Sequence, residues 1–373
     1  MTTIDEFVER FGEEPGYLDF ARRAPIGRTV RDEESAMSSL LGRARFGTLD
    51  TLDEQDARVR AAVAALTGFR DDQVVFQPNT SQGLMHAMLG LTGEVLLSPR
   101  EFPSSTYAVS RAADALGALT PRWLETDHGR VTPGNIKRQL RTSTTAVEVS
   151  LVDYRTGYLV DLEGIRQVIG DRLLIVDAIQ GFGVVDAPYQ LADVVVSGGQ
   201  KWVRAGWGTG FLALSDRAAE VLVPVLSGFS ATDAEGTPTE VLPPARGARA
   251  FSISHPDPIA QARFAAALEE IAEVGIPALS TLLAEKVSRI IDLADEFALD
   301  VTSSRDESER AGIVVIAPEP DQLTLLAASL HNHGVTATTR EGTVRLSPHV
   351  TTDEETLAML RAAFTSFASA VNL

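Results

Sequence analysis

The chain has 373 residues, too many for one small core, so two domains are expected. Its formal net charge of -18 argues against nucleic acid and anionic membrane surfaces as partners. It has no cysteine, which excludes disulfides, thiolate metal sites and a cysteine nucleophile. The six histidines show no metal-binding spacing, and no metal site is expected. With 44% hydrophobic and 23% charged residues, the composition is that of an ordinary soluble globular protein.

The N-terminal MTTIDEFVERFGEE is acidic and amphipathic, without the basic and apolar regions of a signal peptide. No run approaches the roughly 18 apolar residues of a membrane span. A cytoplasmic location is expected. Residues 1–16 read as a short surface helix broken by Gly12 and Pro15, forming an N-terminal arm. Residues 17–20 read as an extended entry segment, followed by the loop ARRAPIG with Arg22 and Arg23. Residues 52–66 have apolar positions at helical spacing, with Gly68 as the stop. QVVFQPNTSQGLMHAML then gives a strand, a polar turn and a helix starting near Ser81.

Strands and helices alternate from there. Strands are expected at 94–98, 121–124, 146–152, 173–177, 192–197 and 211–215, with helices between most of them. Short apolar runs separated by helices predict an α/β fold with a mostly parallel sheet covered on both faces. The Gly- and Pro-containing segment 228–244 reads as a loop or junction. Two long helices follow, near 259–274 and 277–297, and the last hundred residues give a small α/β unit. The expected division is an arm over 1–16, a large domain over 17–245 and a small domain over 246–373, with a contribution from the N-terminal segment.

Candidate chemistry concentrates between residues 173 and 211. Asp177 ends an apolar strand, where open α/β sheets place ligand groups. Lys201 lies in a Gly-rich, apolar setting in which desolvation lowers a lysine pKa and makes the amine a nucleophile or imine partner. A carboxylate for a ring nitrogen and an amine for an aldehyde are what pyridoxal 5'-phosphate (PLP) requires. The plainer alternatives are a surface lysine and an aspartate capping a turn. GWGTG precedes a strand, so it fails the context of a dinucleotide loop.

Gln180 is three residues beyond Asp177, within reach of the same cofactor. Asn79, Thr80 and Ser81 stand between a strand and a helix and suit a phosphate, or serve only as an N-cap. Phe102 follows a strand and offers a face for a flat ring, or belongs to the core. Arg345, inside an apolar strand, suits a substrate carboxylate or a structural ion pair.

These segments resemble the class V aminotransferase family of fold-type I PLP enzymes, most closely its kynureninase-like branch. The resemblance runs through EFPSSTY, SLVDYRTGYLVDL, LIVDAIQGFG and QKWVRAGWGTGF, with Arg345 as an outlying match. It implies a large domain with a mostly parallel seven-stranded sheet and a smaller C-terminal α/β domain. It also implies Lys201 as the residue that bonds the cofactor and shuttles the substrate Cα proton, Asp177 as partner of the ring nitrogen and Phe102 as the stacking ring. Thr80, Ser81 and Gln200 would contact the phosphate, and Asp153 and Tyr154 would lie near the ring's O3′ side. Arg345 would take the substrate carboxylate. Family members are typically homodimers, and on that pattern Ser254 or His255 would reach the neighbour's phosphate.

The chain also departs from the branch. Kynureninases have a tyrosine before the lysine, a histidine near the aspartate and an acid at the position of Ser105, where this chain has Gln200, Gln180 and serine. Desulfurases need a cysteine to accept sulfur, and none is present. Arg22 or Arg23 is placed to read a second substrate anion. The expected activity is PLP-dependent transamination at an amino-acid Cα. The alternatives are a PLP lyase or hydrolase (C–S β-elimination or kynureninase-like C–C cleavage) and a catalytically idle PLP-fold binding protein.

Overall fold

Seven short apolar runs pair into one sheet in the order β1-β7-β6-β5-β4-β2-β3. The strands are β1 (Val74–Phe76), β2 (Gly93–Leu97), β3 (Leu119–Trp123), β4 (Thr144–Ser150), β5 (Leu173–Asp177), β6 (Val194–Gly198) and β7 (Gly210–Leu214). Only β7 runs against its neighbours; the other pairings are parallel. This computed structural model describes residues 2–43, 46–234, 236 and 238–371. The expected mostly parallel, seven-stranded α/β architecture is present.

Every residue of β5 and β6 is buried. Their side chains alternate between two cores, as a period of two requires. Leu174, Val176 and Val195 point into one core, and Leu173, Ile175, Val194 and Val196 into the other. Helices Thr80–Gly90 and Pro103–Leu116 cover the second face, while Gln55–Thr67 and Pro258–Val274 cover the first. Continuous burial of this kind favours parallel pairing, because both faces must be dry.

A second sheet, in the order β8-β10-β9, is antiparallel and consists of β8 (Val314–Ile316), β9 (Thr338–Arg340) and β10 (Thr343–Leu346). Its core includes Ile290, Leu326, Val344 and Phe364. The core under the first face of the large sheet meets the small-sheet core along helix Ile276–Glu296, where Leu279 and Leu283 belong to the former and Val287 onward to the latter. The N-terminal segment joins the small sheet through isolated bridges, Tyr17 to Thr336 and Asp19 to Ser347.

Helix Arg28–Arg43 is an element without a counterpart in the sequence reading. Only Val30 and Met37 are buried on it, so its apolar stripe is too thin to give a clear helical period. Helix Pro103–Leu116 starts three residues earlier than its apolar pattern, because Pro103 occupies the first helical turn. No helix among the described residues is long and apolar enough to cross a membrane.

Candidate active site

The ends of β4, β5 and β6 open into a cavity of about 560 Å³, a usual size for a small-molecule site. Asp177, the last residue of β5, forms part of its wall, and Lys201 enters from the loop after β6. That loop is closed by backbone bonds from Gly199 N–H to Thr209, from Arg204 N–H to Lys201, and from Ala205 N–H to Gly199. Arg204 stands at φ 61° and sends its buried guanidinium to Glu13 and the Pro25 carbonyl. The N-terminal arm thereby braces the turn that carries Lys201.

Asp177 is 2% exposed. One oxygen, Oδ1, accepts the Ile179 N–H at 3.0 Å, while Oδ2 is buried with no partner. Burial pushes its carboxyl up to about 6, against the opposing pull of Lys201. Lys201 is 8% exposed. Burial lowers its amine to about 8, with Asp177 pulling up and Arg345 pushing down. A buried amine that sheds its proton near neutrality is equipped to act as a base.

Asn79 caps helix Thr80–Gly90 by accepting the Gln82 N–H at 2.9 Å. Thr80 Oγ1 beside it is buried and without a partner. An added Cβ at Gly198 would stand 2.4 Å from Gln200 Oε1 and 3.2 Å from Thr80 Oγ1, so a side chain there would invade this end of the cavity. Ser81 and Ser104 hydroxyls face each other at 2.6 Å in the same wall. Phe102 lies with its ring centroid 5.5 Å from Lys201 Nζ and meets Tyr154 edge-on at 5.1 Å.

Eleven of the expected residues line this one cavity. They are Arg22, Asn79, Thr80, Ser81, Phe102 and Tyr154, with Asp177, Gln180, Gln200, Lys201 and Arg345. Gln180 has its amide occupied, donating to the Ala21 carbonyl and accepting the Trp202 indole N–H, both at 3.0 Å. Arg345 donates to the Tyr154 carbonyl at 2.9 Å and pairs with Asp19 at 3.5 Å, leaving Nε buried and unpartnered.

Four expected residues stand elsewhere. Asp153 caps its own turn, accepting from the backbone of Arg155 and Thr156 at 2.8 Å, and is not in the cavity wall. Arg23 turns outward over the Trp207 ring. Ser254 pairs with Ser230, and His255 packs on Phe229. Among the described residues no cluster of three metal-ligating side chains occurs.

Several site residues escaped the sequence reading. Asp19 accepts the Thr338 hydroxyl at 2.7 Å besides pairing with Arg345. Glu101 and Glu148 form a buried acidic pair behind Asp177. Glu101 accepts the Ser150 N–H at 3.2 Å, and Glu148 accepts the Ser105 hydroxyl at 2.7 Å. Burial drives both carboxyls upward, Glu101 to about 8, with Asp153 and Asp177 raising Glu101 further and Glu101 raising Glu148. The acid missing at Ser105 is thus present on β4. A glutamate inside the apolar run AVEVS was the visible signal.

The family model for aminotransferase class-V matches residues 32–372. The chain belongs to that family. Among curated relatives, the kynureninase of Deinococcus radiodurans is 28% identical over 69% of this chain and 64% of its own length. A probable hercynylcysteine sulfoxide lyase of Mycobacterium tuberculosis is 28% identical over 72% of this chain and 63% of its own. The chain therefore spans under two thirds of either relative. The cystine C–S lyase C-DES, solved with its reaction product cysteine persulfide, has TM-score 0.85 at 19% identity over 94% of this chain and 97% of that one. A C-DES variant holds glycine linked to its PLP cofactor.

PLP is the cofactor of the class V family to which the chain belongs. The cavity fits that group. The orphaned Oδ2 of Asp177 is an acceptor for a protonated ring nitrogen, Thr80 Oγ1 is a free donor beside a helix N-terminus, and Lys201 is the amine.

Proposed function

We propose that this protein is a PLP-dependent lyase that breaks a bond at Cβ of an amino-acid substrate, C–S bonds foremost. The observation that carries this reading is the Lys201–Asp177 pair in a chain without cysteine. The three curated relatives are named kynureninase, probable hercynylcysteine sulfoxide lyase and probable cysteine desulfurase, and none for transamination. Gln180 and Gln200 stand where kynureninases carry histidine and tyrosine, which turns the reading from C–C toward C–S cleavage. A lyase that releases its sulfur product needs no acceptor thiol.

When bound, the cofactor supplies an electron sink for the charge left at Cα. This chain's residues do the rest. Lys201 removes the Cα proton and delivers it to the sulfur as the Cβ–S bond breaks, so that the leaving group departs as a thiol and the remaining unsaturated amino acid hydrolyses to keto acid and ammonia. Asp177 holds a negative charge against the ring nitrogen in a dry site, where that charge acts most strongly. Phe102 gives the ring a face, Asn79, Thr80, Ser81 and Gln200 receive the phosphate, and Arg345 orients the substrate carboxylate. Asp153 and Tyr154 support the wall on the ring's O3′ side, Asp153 through its turn. Gln180 steadies Trp202 beside the lysine.

The same reading makes the enzyme a cytoplasmic homodimer. Exposed Trp207, Leu226, Phe229 and Val241 suit an interface, with Ser254 and His255 reaching the partner's phosphate. The domain organisation that accompanies it is two cores joined along helix Ile276–Glu296.

The test is a single-substrate assay of the PLP-loaded protein against sulfur-bearing amino acids. Keto acid and ammonia appearing together support the lyase. A strict need for a keto-acid amino acceptor would overturn it in favour of transamination. Absence of any spectral response to amino acids would favour the idle binding protein.

A further inference from the structure

One face of the small sheet carries more positive charge than proton transfer by Lys201 requires. The turn at Glu341 and Gly342 has positive φ at both central residues, 47° and 81°, as the tight turn of a twisted hairpin demands. It sets Arg340 opposite Thr343 and Arg345 opposite Thr338. Alternation then places Arg340 and Arg345 on one face of the sheet.

That face looks toward Tyr154 and Arg155 of the large sheet's loops. Two guanidiniums approach the Tyr154 ring, Arg340 at 4.9 Å and Arg155 at 5.7 Å from its centroid. A second cavity of about 180 Å³ opens here, with Arg100 and Arg155 in its wall. It shares Tyr154, Thr338, Arg340 and Arg345 with the first cavity.

The acids nearby do not balance these charges. Asp153 pairs with Arg155 at 3.3 Å, Asp19 pairs with Arg345 at 3.5 Å, and Glu341 lies on the rim. Arg100 and Arg340 have no ion-pair partner among the described residues. The Nε atoms of Arg155 and Arg345 are buried without an acceptor. Arg100 and Arg340 are exposed and carry their charge to solvent, while the Nε donors of Arg155 and Arg345 are dry, so an anion entering this face would meet free positive charge and complete two unsatisfied donors. The cofactor phosphate is not that anion, because the Asn79–Ser81 cradle for it belongs to the first cavity alone.

We propose that this arginine face is a subsite for a second anionic group, so the substrate is an amino acid whose side chain ends in a carboxylate or similar oxyanion. The subsite deepens the lyase reading and rests on it for the placement of the substrate's own carboxylate at Arg345. Arg22, 3.9 Å from the Asp19 it shares with Arg345 and largely exposed, is the weaker candidate for the same anion.

The experiment is calorimetric titration of the PLP-loaded protein with glutarate and with pentanoate, at constant ionic strength. Neither probe has an amine, so binding is read without turnover. Glutarate should bind at least about ten-fold tighter, the size of one charge-assisted contact. Arg340→Gln should erase that preference, and Arg100→Gln should reduce it, with visible absorbance of the bound cofactor unchanged in both. Equal binding of the two probes, no binding of either, or a preference that survives in both variants overturns the subsite. Because product assays stand apart from this titration, the lyase and the subsite can fail separately.

Discussion

The two walls of the active cavity are built on opposite electrostatic terms. The large-sheet wall is dry and short of positive charge. Asp177, Glu101 and Glu148 are buried together, and among the described residues of that wall Lys201 is the buried cation that faces Asp177. The small-sheet wall is the reverse, with Arg340 and Arg345 on one face and Asp19 as the nearest deep acid. Burial on the first wall tunes proton affinity, which chemistry needs. Unpaired cations on the second wall select charge, which recognition needs. A site of this kind separates reaction from specificity by assigning each to a different sheet.

Changes on the large-sheet wall should have the greatest effect. Lys201→Ala is expected to lower turnover by at least about 10³-fold, since it removes the base. It should also abolish the visible absorbance that the lysine gives the bound cofactor, while circular dichroism stays native. Retained turnover would mean that another group moves the Cα proton.

Arg345→Ala should cost about 2–4 kcal/mol in kcat/KM, chiefly through KM, as a lost charge-assisted contact does. It should lower thermal stability as well, because Tyr154 O and Asp19 each lose a partner. A variant that loses stability but keeps KM would make this arginine structural.

The acidic cluster supplies a pH test. A carboxyl raised by burial, as Glu101 is from 4.5 to about 8, binds protons more tightly in the folded state. Its contribution to stability is full below 4.5 and is lost as pH rises toward 8. Asp177 and Glu148 act in the same direction. Lys201, lowered from 10.5 to about 8, acts oppositely and only above that window. The cofactor-free protein should therefore lose stability to denaturant as pH rises through this range. Glu148→Gln should flatten the slope. An unchanged slope in that variant would place the linkage elsewhere.

The smallest effect belongs to Arg23. It faces Trp207 outside the cavity, so Arg23→Ala should shift kcat/KM by less than about 0.5 kcal/mol. A larger loss would move the substrate's second anion to the N-terminal loop.

Much of this arrangement is legible in the sequence alone. β5 and β6 could be read because an unbroken apolar run of five residues has few other uses. Asp177 and Lys201 stood out as polar residues ending such runs. Helix Arg28–Arg43 was not legible, since two buried residues in sixteen give almost no period. Asp153 was expected beside the cofactor, but its carboxylate had local backbone donors to satisfy and turned to them. Arg340 passed unnoticed because VTATTR reads as an ordinary exposed strand.

By itself the sequence determined the α/β class and marked the acid–lysine pair, because each depends on residue type and on periods of a few positions, while the cofactor came from the resemblance of the longer segments around that pair. Only the tertiary structure decided which polar atoms are left unpartnered, that Gln180 is engaged by Trp202, and that Arg340 joins Arg345 across from Tyr154. Those facts depend on hydrogen-bond competition and on hairpin register between segments nearly two hundred residues apart, as with Arg345 and the Tyr154 carbonyl. Local pattern carries no information about either.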